Sequence, residues 1–208
     1  MDYFENIMMF EDIKLLSEEN SLDRRSFLGI GGATLAGVVI PSLINPAAAA
    51  TFKGGVVGDG ARRLSFRNTH TGESFSGVYR VGDKYLPDAF SQINTVLRDF
   101  RTNQVFPMDP QLLDYLYTVH KMTGEQKPFQ IISGYRSPKT NNMLRGRSKK
   151  SGVAKKSFHM KGQAIDFRME GFSTSRLRNI AVALKAGGVG YYPKSNFLHI
   201  DTGNVRSW

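Results

Sequence analysis

The apolar positions of this chain change period several times, and each change marks an element. Residues 63–68 and 73–79 alternate apolar and polar side chains around the turn His70-Thr71-Gly72, which predicts a β-hairpin. Phe90, Ile93, Val96, Leu97 and Phe100 recur at helical spacing and predict a helix over 87–101. Leu112, Leu113, Leu116 and Val119 do the same over 110–122, where Pro110 suits a first helical position. The short apolar run 129–133 predicts a buried strand, and 163–169 predicts another. A last helix turns Leu177, Ile180, Ala181 and Leu184 inward, from a cap at Ser173 or Thr174 to a stop at Gly187-Gly188. Residues 189–192 and 197–201 follow as a hairpin around Pro193-Lys194-Ser195-Asn196. The expectation is an α+β fold without internal repeats, its helices packed around a small, mostly antiparallel sheet.

Alternation also places the chemistry. Along 163–169, Ala164, Asp166 and Arg168 share one strand face, with Gln163, Ile165 and Phe167 on the other. Asp166 thus projects from a rigid element, while His159 precedes it on a turn where Gly162 lets the backbone fold back. His199 and Asp201, two apart, share a face of the final strand, with Leu198 and Ile200 opposite. Small Ala164 beside Asp166 leaves room for an ion and its water. Hydrolytic zinc sites keep three protein ligands and one open position, a number that His159, Asp166 and His199 supply. The competing reading is two hydrogen-bonded His–Asp contacts, and the residues by themselves leave both open. The remaining histidines read as bystanders: His70 solvated on its turn, His120 structural at the edge of a helix's apolar face.

Arg136 stands at the end of the buried strand, in Ser133-Gly134-Tyr135-Arg136-Ser137. There its planar fork can meet a carboxylate or a polarised carbonyl oxygen, or simply form a surface ion pair. Between residues 141 and 161, Arg145, Arg147, Lys149, Lys150, Lys155, Lys156 and Lys161 read as a mobile basic loop leading into the histidine motif. It is either a solvated charge run or a flap that draws anionic substrate. Phe158 is the only aromatic near it, which argues against nucleic acid as a partner.

Composition narrows the picture in two ways. The chain has no cysteine, which excludes disulfides, thiolate chemistry and Cys-ligated zinc. The formal net charge of +10 is uneven. Residues 1–50 hold three Lys and Arg against seven Asp and Glu, a net of −4, and the remaining 25 against 11 give residues 51–208 a net of +14. A region that basic suits a polyanion, and charge alone does not choose among nucleic acid, anionic lipid and cell wall.

The acidic first segment ends at Asp23-Arg24-Arg25-Ser26-Phe27-Leu28, followed by a Gly-rich apolar run to Ile44 and by Pro46-Ala47-Ala48-Ala49-Ala50. Paired arginines, a short apolar stretch and a small-residue cleavage region predict a twin-arginine export signal over 1–50. The apolar run is broken by glycines and Pro41 and falls short of the ~20 residues a bilayer span needs. An uncleaved anchor is the alternative. Residues 51–62 read as a flexible linker, and 63–208 as the folded domain. The expected location is the periplasm, with the twin-arginine translocase as a transient partner and no stable membrane span after cleavage.

Ser157-x-His159-x-x-Gly162-x-Ala164-x-Asp166, the later His199-Ile200-Asp201 and the upstream Ser133–Ser137 motif together resemble the M15 zinc peptidases, relatives of D-Ala-D-Ala carboxypeptidases and dipeptidases. The resemblance is to their murein endopeptidase K-like branch and spans the region after the signal. It includes Asn68-Thr69-His70-Thr71-Gly72-Glu73, Gly187-Gly188-Val189-Gly190-Tyr191-Tyr192-Pro193 and Trp208. It implies a hedgehog/D-Ala-D-Ala peptidase-like fold and a Zn2+ held by His159, Asp166 and His199. It gives Arg136 a contact to substrate or oxyanion, and peptidoglycan as substrate, cleaved at cross-links between diaminopimelate residues.

One departure stands out. Many M15 peptidases carry a Glu, Asp or His two or three residues before the final His ligand, where this chain has Asn196 and Phe197. Asp201 is then the first candidate for the catalytic base, with orientation of the His199 imidazole as the competing role. A non-catalytic wall-binding module and a D,D-carboxypeptidase or dipeptidase remain the alternatives to an endopeptidase.

Overall fold

The computed structural model describes residues 60–147 and 152–208. The expected export signal and residues 51–59 of the expected linker lie outside them. Strand β1 (Ala61–Asn68) already includes the linker's last two positions and pairs antiparallel with β2 (Ser74–Val81). The turn between them is held by Asn68, whose Oδ1 accepts from the backbone N–H of His70 and Thr71 at 2.9 and 3.3 Å. Next come β3 (Lys84–Tyr85), helix α1 (Pro87–Val96), α2 (Pro110–Thr123), β4 (Phe129–Ser133) and α3 (Pro138–Gly146). A 3-10 turn (Phe158–Lys161) leads into β5 (Ala164–Met169), followed by α4 (Thr174–Ala183), β6 (Gly188–Tyr192), β7 (Phe197–Asp201) and β8 (Arg206–Ser207).

The strands form one sheet in the order β3-β2-β1-β4-β5-β7-β6-β8. Among the described residues, β1–β4 and β6–β8 pair parallel and every other neighbouring pair antiparallel. This is the expected α+β, mostly antiparallel arrangement. Ile165, Phe167, Leu198 and Ile200 are fully buried in the same apolar core as Leu112, Leu113, Leu116 and Val119 of α2 and Leu177 and Ala181 of α4. Burying each such side chain contributes roughly 1.5–3 kcal/mol. The Tyr115 hydroxyl donates to Ala181 O at 2.8 Å and ties the two helices together. With that face of β5 and β7 committed to the core, Asp166, His199 and Asp201 must project from the other. Among the described residues no helix is long and apolar enough to cross a membrane.

Two expectations shift. Helix α1 stops at Val96, not Arg101, because the chain turns to bury Asp99. The Asp99 carboxylate accepts from the backbone N–H of Ser137 at 2.9 Å and of Arg101 at 3.0 Å. Burial would raise its pKa, but hydrogen bonds from Ser137, Thr140 and Arg101 outweigh it and hold the carboxyl down at about 2. Phe100, freed from the helix, stacks on His70 with ring centroids 4.1 Å apart. The second shift is α3, which occupies the start of the segment expected as a basic loop. Its signal is local: the Ser137 hydroxyl accepts from Thr140 N–H at 3.2 Å, and Pro138 sits in the first turn. The residues α3 buries are Thr140 and Asn141, so no apolar stripe announces it.

Candidate metal centre

Register assembles the site. In the β5–β7 pairing Asp166 lies opposite His199, and Ala164 lies opposite Asp201. Directly opposed residues share a face. His159 arrives from the 3-10 turn, which ends on Gly162 at φ 66°. A Cβ there would sit 2.2 Å from the carbonyl oxygen of Pro107, so the turn requires glycine for its conformation and for its space. The turn is fastened by Asp109 N–H to Gly162 O at 2.9 Å and by Arg136 N–H to His159 O at 3.2 Å.

His159, Asp166 and His199 converge: one donor atom from each lies within 4.8 Å of the others. His159 Nδ1 is 2.8 Å from Gly134 O. A carbonyl only accepts, so Nδ1 carries the proton and Nε2 keeps its lone pair. That Nε2 is 3.2 Å from Asp166 Oδ1 and 3.2 Å from His199 Nδ1. His199 Nδ1 is in turn 2.8 Å from Asp166 Oδ1, while its Nε2 is 2.9 Å from Asp201 Oδ2. Each imidazole is thus held at one nitrogen and presents the other to the cluster.

The electrostatics fit a cation. Burial holds His159 below the ordinary histidine value. Burial would push Asp166 up, yet its contacts with His159 and His199 keep it well below the usual carboxylate range. Burial would lower His199 too, but hydrogen bonds to Asp166 and Asp201 outweigh it and raise it to about 9. Two ring nitrogens and a carboxylate oxygen pointed at one another need positive charge among them, a proton or a divalent ion. The donors are of the types zinc accepts, and both rings have their outer nitrogens engaged as metal-bound imidazoles do.

Asp201 is fully buried, on the opposite side of the His199 ring from Asp166 and His159. Besides His199, its oxygens accept from Arg206 Nη1 and Nη2 at 3.0 and 2.7 Å and from Gly203 N–H at 2.9 Å. Burial would raise its pKa, and the bonds from His199 and Arg206 depress it instead. Arg136 borders the cluster with Nη2 3.5 Å from Asp166 Oδ2 and 3.4 Å from Ser133 Oγ, both long contacts. Its Nε is buried and has no hydrogen-bond partner among the described residues.

These groups line a cleft of about 240 Å³, bordered by Gly152–Ala154 and Lys156 on the basic segment and by Tyr192, Phe197, Arg206 and Trp208. Asp166 and Asp201 are the carboxylates among its described lining residues. Asn196 sits on the β6–β7 turn at φ 49°, its Oδ1 accepting from the Thr174 hydroxyl, and Phe197 stacks on Tyr192 with centroids 4.5 Å apart. Neither offers a proton acceptor beside the cluster. His70 and His120 lie elsewhere; His120 packs edge-on to Phe129 and bonds Lys127 O at 3.0 Å. Arg206 is the contact that periodicity does not reveal, since β8 is two residues long.

A model of an M15 peptidase family, described as peptidoglycan L,D-endopeptidase MepK, matches residues 57–208. The chain belongs to this M15 family. Peptidoglycan L,D-endopeptidase MepK of Escherichia coli K12 is 45% identical over 186 residues, covering 89% of this chain and 97% of that one. The probable MepK of Haemophilus influenzae is 41% identical over 187 residues, 89% of this chain and 95% of that one. No solved structure shows a significant match. This M15 peptidase therefore carries its candidate metal ligands on two adjacent strands and the turn that precedes the first.

Proposed function

We propose that the chain is a zinc-dependent endopeptidase that hydrolyses peptide cross-links of peptidoglycan, those joining two diaminopimelate residues. The observation that carries this reading is the convergence of His159 Nε2, Asp166 Oδ1 and His199 Nδ1 in the lining of a cleft. The description of the relatives as peptidoglycan L,D-endopeptidases supports the substrate. The net charge of +14 over residues 51–208 suits an anionic wall polymer.

Zinc held by these three residues supplies Lewis-acid polarisation of the scissile carbonyl and activation of water. The protein's own groups do the rest. Gly134 O keeps the His159 proton on Nδ1, and Asp201 keeps the His199 proton on Nε2. Asp201 in this reading orients His199 and is not the base, since its oxygens are committed to His199, Arg206 and Gly203. Arg136 offers its Nε, which has no partner among the described residues, and its loosely held Nη2 to a substrate carboxylate or to the developing oxyanion. Tyr192, Phe197 and Trp208 wall one side of the cleft, and Lys156 brings charge to its rim.

The test is incubation of the zinc-loaded chain with purified peptidoglycan, followed by mass analysis of the soluble muropeptides. Conversion of cross-linked dimers to monomers, abolished by chelator and restored by zinc, is the expected result. Loss of one terminal residue from monomers would identify a carboxypeptidase instead. Saturable wall binding with no product at high enzyme concentration would leave a binding module.

Export to the periplasm by the twin-arginine route belongs to the same proposal and rests on Arg24 and Arg25 in the segment outside the described residues. Changing both to Lys keeps the charge and should leave the full-length precursor in the cytoplasm. Normal periplasmic appearance of that double variant would remove this part.

A further inference from the structure

Strand β6 opens Gly188-Val189-Gly190, an expensive choice for a strand interior, where glycine marks a close approach by another group. Its partner β7 sets Gly188 opposite Asp201 and Gly190 opposite His199, so both glycines lie on the face of the metal centre. What approaches comes from β8. A Cβ at Gly188 would stand 2.3 Å from Nη1 of Arg206 and 2.6 Å from Oδ2 of Asp201. One at Gly190 would stand 2.7 Å from Cε2 of Trp208. Gly203 is notched in the same way, 2.5 Å from Cζ of Phe158 and 2.9 Å from Oδ1 of Asp201. Three missing side chains therefore clear the space in which Arg206 meets Asp201 with the Phe158 and Trp208 rings beside it.

The seat of Arg206 is specific for a guanidinium. Its two terminal nitrogens take one Asp201 oxygen each, at 3.0 and 2.7 Å. Its carbon lies over the Phe158 ring at 5.3 Å and over the Trp208 ring at 4.9 Å from the centroids. A planar fork that also stacks on aromatic rings is arginine's property and not lysine's. Backbone bonds hold β8 in place independently: Trp208 N–H to Val189 O at 3.1 Å, and Tyr191 N–H to Trp208 O at 2.9 Å. The far end of the chain of contacts is His199, bonded to Asp201 at 2.9 Å, with the Trp208 ring 5.4 Å from its own. Phe158, adjacent to His159, brings the other histidine motif against the same guanidinium.

We infer that Arg206 is a positioning residue of the metal centre. Its fork fixes the Asp201 carboxylate, and Asp201 fixes the His199 ring with Nδ1 turned to His159 and Asp166. The inference rests on the reading of His199 as a metal ligand. It gives the Gly188-x-Gly190 pattern and the Arg206–Trp208 segment a shared purpose, which is to complete the support of one ligand from a strand that carries none.

The experiment measures zinc affinity of the full chain by competition with a chromogenic chelator, with thermal unfolding of the zinc-free protein alongside. Losing the partner that orients a ligand typically weakens metal binding about 10- to 100-fold; Arg206 acts one contact further out, through Asp201, so the lower end, about 10-fold, is the expectation for Arg206→Ala. Guanidinium chloride at tens of millimolar should recover most of that loss, while sodium chloride at equal ionic strength should not. Arg206→Lys, which keeps the charge and lacks the fork, should fall between wild type and Arg206→Ala and should gain nothing from guanidinium. Either unchanged affinity in Arg206→Ala or a loss that guanidinium does not restore overturns the inference; if Arg206→Ala fails to fold, Arg206→Lys with wild-type affinity overturns it equally. A wild-type chain that binds no zinc would instead bring down the metal reading itself, which the same titration reports separately.

Discussion

Asp166→Asn is expected to abolish zinc binding and to lower turnover of cross-linked muropeptides by about 10³-fold, several kcal/mol of lost Lewis-acid stabilisation at 1.36 kcal/mol per tenfold. The substitution keeps the volume of the side chain and removes its charge, so the packing around β5 is left nearly intact. What it destroys is the anion beside two buried imidazoles. Asp166 Oδ1 lies 2.8 Å from His199 Nδ1 and 3.2 Å from His159 Nε2, and the other carboxylate among the described lining residues, Asp201, lies across the His199 ring. With a neutral amide there, two histidine nitrogens alone would have to hold the ion in a buried setting. Metal analysis after purification without chelators checks the first half, and a dimer-to-monomer assay the second. His70→Ala and His120→Ala, whose side chains lie outside the cleft, should keep full occupancy. Zinc at wild-type stoichiometry in Asp166→Asn would reject the ligand set.

The strands that carry Asp166 and His199 were legible in the sequence because their two faces differ in kind. Ile165 and Phe167 alternate with Asp166, and Leu198 and Ile200 with His199 and Asp201, so a period of two separates core from site without further information. The hairpin of β6 and β7 was legible through Pro193 and Asn196 for the same local reason. Helix α3 was not, because the side chains it buries are polar: Thr140, and Asn141 bonded to Ala154 O at 3.1 Å. Strands β3 and β8 are two residues each, too short for any period to register.

The limit at Asp201 is of another kind. Sharing a strand face with His199 says that the two side chains rise from one side of the sheet, but not which ring nitrogen each neighbour meets. That depends on the ring's rotation, which Asp166 and Asp201 set from opposite sides of it. Likewise Arg206 enters through a loop closure after Asp201, where Gly203 N–H bonds the carboxylate at 2.9 Å. The trace it leaves upstream is Gly188, where a Cβ would stand 2.3 Å from its Nη1 and which reads as part of a helix stop until β6 is seen to begin on it.

Arg136→Lys separates substrate stabilisation from metal binding. Zinc content should stay at the wild-type level, because the loop that carries Arg136 is held by its backbone: Arg136 N–H bonds His159 O at 3.2 Å, and the next residue's N–H bonds Asp99 at 2.9 Å. The side chain contributes little to the resting structure. Its contacts to Ser133 and Asp166 are 3.4 and 3.5 Å long, and its buried Nε has no partner among the described residues. A buried donor without a partner is unfavourable by roughly 1–3 kcal/mol, a penalty a bound carboxylate or oxyanion would remove. Lysine keeps the charge but replaces a fixed fork with one mobile ammonium, so it cannot place two donors on one oxygen pair. Removing a donor of this type from an oxyanion site lowers kcat by about 10²- to 10³-fold, and that is the expected loss on a defined cross-linked dimer. A loss confined to KM would assign Arg136 to ground-state recognition of the substrate carboxylate, and unchanged kcat and KM together would leave its side chain outside the reaction.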